Sequence, residues 1–194
     1  EIRAHAIKAV VPVTQDRSRP HFRGKRPADW YAGSEALELA DNVVSFQTPA
    51  GGWSKNFNTA DHRRQPGEAF SPDTNVSKFL TPGDHDAPHD AHWSYIGTFD
   101  NNATIGELRF LAKVAAAANE KSGSVWRAAF LKGLAYVCTA QYPNGGWPQN
   151  FPLDGGYHDS ITFNDGAITN LIEFVRDVAD GRGEFAWVPA ELRA

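Results

Sequence analysis

The chain has 194 residues, of which 41% are hydrophobic and 12% aromatic, a composition typical of folded globular proteins rather than disordered ones. Its formal net charge of −4 provides no overall basic surface, so neither nucleic acid nor an anionic membrane is expected as a partner. The single cysteine, Cys138, can form no internal disulfide and is expected to be a small core residue on a helix.

Hydrophobic periodicity predicts helices along most of the chain. Residues 1–27 are basic and lack a sustained period, so they are interpreted as a lead-in segment before a domain at 28–194. Apolar residues at a spacing of 3.6 predict helices from Ser34, a candidate N-cap, to just before Gln47, and at about 102–118, 124–138 and 166–179. No stretch alternates convincingly like a strand, so an all-α fold is predicted.

The predicted third helix begins near Ser124, a second candidate N-cap. Its apolar stripe is expected to consist of Ala128, Leu131, Ala135 and Cys138. This stripe would face the protein core.

The segment 58–97 is long, polar and rich in turn-forming residues, and it is predicted to be an insertion in the domain. Within it, His85, His89 and His92 have the spacing of ligands on one helix face, as in a zinc site. Pro88 would break that helix, however, and no cysteine accompanies the histidines. A polar loop is therefore predicted here.

Two sequence motifs occur twice, which indicates a fold built from one repeated unit. Segment 47–53 (QTPAGGW) recurs as 141–147 (QYPNGGW), each time after a predicted helix, and 98–101 (TFDN) recurs as 162–165 (TFND), each time before one. Helical hairpins of this kind bury their apolar faces by stacking. An α/α toroid is the expected architecture, with a linear helical solenoid as the alternative.

The first motif has a structural interpretation. Its glutamine can bond carbonyls freed at the helix end, its glycine permits a positive φ, and its tryptophan can pack across the turn. Lys55 differs, because the second copy has Gln149 at the equivalent position. Lys55 is either a solvated surface charge or a cation that belongs to a site.

The second motif has two interpretations that the spacing leaves open. Asp100-Asn101 and Asn164-Asp165 can each cap the helix that follows. Alternatively, the two helix starts lie together, and carboxylate and amide oxygens from both copies form the ligand set that Ca²⁺ prefers.

The chain is expected to be part of a longer domain. It contains no methionine, and its last residues, from Pro189, have the pattern of a helix beginning.

Three separated segments together resemble polysaccharide lyase family ten, the toroidal pectate lyases. They are 51–56 (GGWSKN), 98–104 (TFDNNAT) and 156–165 (GYHDSITFND), and the resemblance extends over about 28–194. It implies Ca²⁺-dependent β-elimination of polygalacturonate or oligogalacturonides by a monomeric, secreted or periplasmic enzyme.

The resemblance also implies roles for individual residues. Asp100, Asn101 and Asp165 would bind the metal, and Asn101 would contact the substrate as well. The other residues expected to bind substrate are Lys55, Asn56 and His158, with Lys55 holding a uronate carboxylate.

The chain departs from the family at Ser54 and Ser160, where a proline and a histidine are usual. The family's catalytic arginine is expected beyond Ala194, so this chain alone is expected to eliminate polygalacturonate at a negligible rate. Arg109, Arg127, Arg176 and Arg182 lie within or after predicted helices and are poor candidates for the base. The alternatives are a non-catalytic toroid that binds sugar or protein, and an isoprenoid cyclase, although the aspartate-rich motif of the cyclases is absent.

Overall fold

The computed structural model describes residues 11–14, 16, 22–72, 96–119, 121–153 and 156–193. Most of the predicted insertion at 58–97, including the histidine cluster at 84–92, therefore lies outside the described residues. Of the predicted lead-in, residues 11–14, 16 and 22–27 are described, and the last of these segments packs against the helical core through the buried side chain of Phe22.

Four α-helices dominate the described part of the chain: α1 (Ser34–Ser45), α2 (Ile105–Ala117), α3 (Ser124–Thr139) and α4 (Ala167–Ala179). Five short 3-10 helices accompany them, at Ala28–Ala32, Asp100–Asn102, Gly156–Asp159, Gly183–Phe185 and Ala190–Leu192. The all-α prediction is confirmed. The four helices lie where the periodicity predicted them, although Ser34 and Ser124 are first helical residues rather than N-caps.

The buried face of α3 differs from the predicted one. Ala128, Ala135 and Cys138 are exposed, whereas Trp126, Phe130 and other large side chains of this helix are buried. Alanine and cysteine bury little apolar area, so the face that carries the aromatic side chains gains more by turning inward. The prediction that Cys138 is a core residue is therefore wrong.

Helix α2 lies at the centre of the described structure. It packs against α3, to which it is joined by a short loop as a helical hairpin, and also against α1, α4 and the 3-10 helix Ala28–Ala32. Its apolar face is buried throughout, and the residues of that face are Ile105, Leu108, Leu111, Ala112 and Ala115. Helices stacked in this way are consistent with a toroid-like arrangement.

A two-stranded antiparallel sheet joins the two halves of the repeat. Strand β1 (Gly97–Thr98) pairs with β2 (Asn150–Phe151), so that Gly97 lies opposite Phe151 and Thr98 opposite Asn150. Each strand has only two residues. The sheet thus adds little regular structure, but it fixes the start of one repeated motif against the end of the other.

The two Gly-Gly-Trp turns share a set of hydrogen bonds, and in the first turn Gln47 Nε2 also donates to the Ala129 carbonyl of α3 (2.8 Å). The indole Nε1 of Trp53 donates to the Val43 carbonyl (2.7 Å), and that of Trp147 donates to the Val137 carbonyl (2.9 Å). The glutamines act across the turn instead, since Gln47 Nε2 donates to the Gly51 carbonyl (2.8 Å) and Gln141 Nε2 to the Gly145 carbonyl (2.9 Å). In both copies, therefore, the tryptophan rather than the glutamine bonds a carbonyl near the end of the preceding helix.

The first turn is more tightly enclosed than the second. The ring of Tyr136 lies directly against Gly52 and is 1% exposed, and its hydroxyl donates to the Phe151 carbonyl (2.9 Å). At the equivalent Gly146, the nearest neighbour is the flexible side chain of Ile161. The first turn is thus a fixed part of the core, and Lys55 follows it directly in the chain.

Candidate functional site

The repeated motifs meet in one region, which we call the junction and define as residues 54–56, 98–104, 149–150 and 162–166. Strand β1 leads into the 3-10 helix Asp100–Asn102, and this helix packs against α4, which begins just after Asp165. The backbone of Gln149 links the two sides, because its carbonyl accepts hydrogen bonds from Phe99 N (2.9 Å) and Thr98 Oγ1 (2.9 Å). The expected proximity of the two motif copies is therefore present.

Asp100 is the most buried acidic group of the junction, with a relative exposure of 3%. One carboxylate oxygen forms an ion pair with Lys55 Nζ, and the other accepts a hydrogen bond from the backbone N–H of Asn101 (2.8 Å). The side chain of Lys55 is itself only 12% exposed. Lys55 is therefore a component of the junction rather than a solvated surface charge.

The second copy repeats this contact without the charges. Gln149, the counterpart of Lys55, donates from Nε2 to Oδ1 of Asn164, the counterpart of Asp100, at 3.4 Å. The order of acid and amide is reversed between the copies, so the acid of the second copy is the exposed Asp165. One copy holds a buried ion pair and the other an exposed carboxylate.

Backbone conformation also repeats in the junction. Asn101 (φ 53°) and Asp165 (φ 47°) occupy equivalent positions and are both left-handed, as are Asn56 (φ 55°), Asn102 (φ 59°) and Thr104 (φ 62°). Left-handed residues other than glycine are uncommon and tend to gather at functional sites. No side chain caps α2 or α4, so the capping interpretation of the two Asp/Asn pairs is wrong.

The left-handed Thr104 is held by two hydrogen bonds to the first turn. Its hydroxyl accepts from Trp53 N (2.9 Å) and donates to the Trp53 carbonyl (3.3 Å). Thr104→Ala removes both bonds and leaves a buried N–H unsatisfied, so we expect it to lower the free energy of unfolding by about 1–3 kcal/mol. Urea denaturation measures this loss. Thr104→Ser keeps the hydroxyl and is the control; a similar loss in both variants would contradict this explanation.

The remaining predicted substrate residues lie at the edge of the junction. The Asn56 carbonyl accepts a hydrogen bond from Asp16 N (2.8 Å). The side chain of His158 is buried against Tyr157, with ring centroids 3.9 Å apart, while its carbonyl accepts from Gln149 N (2.7 Å). In this structure, His158 therefore supports Gln149 through its backbone.

The junction offers oxygen ligands of the type that Ca²⁺ prefers. Asp100 and Asp165 supply carboxylates, and Asn101 supplies an amide. In addition, Oε1 of Gln149 is buried and has no hydrogen-bond partner among the described residues, so it is an acceptor that a cation would satisfy. Among the described residues, no three His, Cys, Asp or Glu side chains form a ready-made metal cluster. The donor types fit Ca²⁺, and Lys55 is a second cation that would share Asp100 with it.

Arg23 is a junction neighbour that the sequence reasoning missed. Its Nη1 donates to the Asn101 carbonyl (3.0 Å), and its Nη2 contacts both carboxylate oxygens of the fully buried Glu107 at 3.0 and 3.2 Å. Residues 1–27 show no periodicity, so no local signal could have placed Arg23 here. Because it is paired with a buried carboxylate, it is a fixed positive charge rather than a candidate base.

The four arginines that lie within or after the predicted helices have partners away from the junction. Arg109 Nη2 lies 2.7 Å from Asp177 Oδ2. This hydrogen bond, together with the charges of Arg109, Arg176 and Arg182, holds the pKa of Asp177 below its usual value against the opposing effect of desolvation. Arg127 donates to the Ala115 carbonyl (3.3 Å). These contacts agree with the expectation that none of the four is the base.

A sequence profile described as pectic acid lyase matches residues 47–191, which include both turns and the whole junction. The chain belongs to the pectic acid lyase family. The family assignment argues against the isoprenoid cyclase alternative.

Solved structures of a relative extend this comparison. The family 10 polysaccharide lyase from Cellvibrio cellulosa is similar over 86% of this chain, with a TM-score of 0.60 and 28% identity. A point mutant of that lyase in complex with trigalaturonic acid gives the same TM-score and coverage at 29% identity. The present chain spans 45% of the length of these relatives. No curated protein sequence matches it significantly.

Proposed function

We propose that this chain forms part of a pectate lyase that cleaves polygalacturonate by β-elimination with the help of Ca²⁺. The observation that supports the proposal is the buried Lys55–Asp100 pair at the start of a 3-10 helix that packs against α4, inside the region matched by the family profile. The complex of the related lyase with trigalaturonic acid supports an oligogalacturonide ligand. An extracellular polymer as substrate also favours a secreted or periplasmic location.

The proposed chemistry explains why the junction combines acids, amides and a cation. The C5 proton of a uronate is weakly acidic, and its removal builds negative charge toward the neighbouring carboxylate. We propose that Asp100, Asn101 and Asp165 hold Ca²⁺, which when bound would stabilise that charge. Lys55 would orient the same or an adjacent carboxylate, with Asn56 and Asn101 bonding sugar hydroxyls.

Positive charge near the substrate is needed because the whole chain is acidic. At a net charge of −4, the protein would repel a polyuronate unless cations were concentrated locally. Lys55 and Arg23 lie at the junction, but each is paired with a carboxylate, so bound Ca²⁺ would supply the net positive charge there. The carboxylate partners already hold both side chains in place, so little side-chain entropy is lost when substrate binds.

Activity is tested by following the ultraviolet absorbance of the unsaturated product from polygalacturonate, with Ca²⁺ and with a chelator. The protein carrying the full family domain should give a Ca²⁺-dependent increase, whereas the 194-residue chain alone is expected to give almost none. If the longer protein binds oligogalacturonate but yields no unsaturated product, the non-catalytic binding alternative is the correct one.

Calcium binding should respond in opposite directions to two junction variants. Asp165→Ala removes an exposed carboxylate and should weaken Ca²⁺ binding at least about tenfold. Lys55→Gln copies the second motif and removes a cation beside Asp100, so it should strengthen Ca²⁺ binding while weakening that of trigalacturonate. Titration calorimetry with Ca²⁺ alone measures the Ca²⁺ affinity of both variants.

The matched control is Asp61→Ala, since this carboxylate is largely exposed and lies outside the junction. It should leave Ca²⁺ affinity unchanged. Equal Ca²⁺ binding by the wild type and Asp165→Ala would contradict the metal assignment. Weaker Ca²⁺ binding in Lys55→Gln would show that the lysine supports the metal site instead of competing with it.

A further inference from the structure

A cleft of about 430 Å³ opens beside the junction. Asn101 and Asn102 form its end at the junction, and Gly106, Arg109 and Lys113 continue it along α2. These positions follow one another at intervals of three or four residues, so they lie on a single face of the helix. The cleft is therefore a path that leads away from the candidate site.

A second cleft of about 580 Å³ continues the first. The two share Tyr31 and Lys113, and the second adds Lys25, Arg26 and the end of α2 at Ala116 and Ala117. We call the combined feature the α2 groove. Since α2 has 13 residues, the groove follows this helix for about 20 Å from its first residue. That length is suited to an extended chain and exceeds what one small ligand requires.

The α2 groove is strongly basic in an otherwise acidic chain. Five cationic side chains line it, namely Arg23, Lys25, Arg26, Arg109 and Lys113, against the single carboxylate of Glu184. Arg23 and Arg109 are paired with carboxylates. Within the described part of the chain, no carboxylate lies within ion-pair distance of Lys25 or Lys113, and Lys113 Nζ lies 5.5 Å from the centre of the Tyr31 ring. Their charges are available to an anionic ligand.

The walls of the α2 groove are held in place by packing and ion pairs. Phe22 stacks on Phe110 with ring centroids 4.6 Å apart, and this contact keeps the segment that carries Arg23 and Lys25 beside α2. Gly106 leaves room for Arg23 to cross the helix, because a Cβ there would lie 3.1 Å from the Arg23 Nε. A groove fixed in advance loses little entropy on binding.

We propose that the α2 groove binds the continuation of a polyuronate chain whose reacting sugars lie at the junction. This inference rests on the proposed function, since it uses the same polymer and extends its path. A linear chain with one carboxylate per sugar matches a line of cations that begins at the junction and follows a helix. The groove would thereby favour long substrates over short ones.

The experiment compares trigalacturonate with a long oligogalacturonate in binding titrations at low salt. Wild-type protein should bind the long chain more tightly. Lys25→Glu and Lys113→Glu should each weaken the long chain about five- to tenfold and leave the trimer unchanged, and added salt should reduce the difference. Arg63→Glu changes the net charge equally at an exposed position outside the groove, so it is the matched control.

Each other outcome has a distinct meaning. If trimer and long chain bind the wild type equally, the groove proposal is overturned while the proposed function stands. If the trimer does not bind but the long chain binds in a Lys113-dependent manner, the groove proposal stands and the assignment of the junction fails. An equal loss in Arg63→Glu, or equal competition by single-stranded DNA of the same charge, would reduce the groove to a non-specific polyanion surface and overturn the proposal.

Discussion

Replacing Gly52 with alanine is expected to lower the free energy of unfolding by about 3 kcal/mol, an effect at the upper end of those from overpacking a core. The new Cβ would lie 2.6 Å from Cζ of Tyr136 and 2.9 Å from Cε1 and Cε2, within the face of the ring. That ring cannot move away, because its hydroxyl is bonded to Phe151 and Phe99 packs against it (centroids 5.4 Å apart). Thermal or urea denaturation measures the loss.

Gly146→Ala is the matched control, because Gly146 has the same place in the second copy of the motif. A Cβ there would meet Cδ1 of Ile161 at 2.3 Å and Cγ1 at 2.9 Å, but Ile161 is only partly buried and therefore has room to shift. We expect its cost to be under about 1 kcal/mol. Equal costs at the two glycines would show that the motif itself, rather than the Tyr136 ring, requires glycine.

Replacing Arg23 with methionine is expected to cost about 3–5 kcal/mol of stability, because it leaves a charge buried without its partner. Glu107 is completely buried, and within the described part of the chain its carboxylate has one other polar contact, a hydrogen bond from Thr59 Oγ1 at 3.4 Å. A carboxylate in that position has neither water nor sufficient donors to stabilise it. The change in the free energy of unfolding is measured by urea denaturation.

The double variant Arg23→Met with Glu107→Gln tests this cause directly. A neutral amide needs less compensation than a carboxylate, so the second substitution should restore most of the stability that the first removes. If the two losses simply add, the cost of Arg23→Met comes from lost packing of its long side chain and not from the buried charge.

The helices could be predicted because their signal is local. An apolar spacing of 3.6 residues identifies α1, α2 and α4 together with their buried faces. The same rule misjudged α3, whose residues are apolar on several sides, so that packing rather than period decided which side turned inward. Tertiary contacts of this kind leave no trace in a short window of sequence.

The junction could be predicted only in part. Repetition of the Asp/Asn motif predicted that the two copies lie together, and the 3-10 helix Asp100–Asn102 does pack against α4. The repetition could not show that Lys55 contacts Asp100, a residue 45 positions away. The pairing of Arg23 with Glu107 spans 84 positions, and nothing in either neighbourhood marks it. Both contacts join charged side chains that are far apart in the sequence. The composition of the chain does not favour one pairing of an acid with a base over another.

Two long-range hydrogen bonds around the junction also set an order in which the protein can be completed during synthesis. Trp53 N needs Thr104 Oγ1, and Thr98 Oγ1 in turn needs the Gln149 carbonyl, in both cases a partner 51 residues further on. At about 5–20 residues per second, each donor must wait roughly three to ten seconds for its partner to leave the ribosome. During that interval the first Gly-Gly-Trp turn and strand β1 lack these hydrogen bonds.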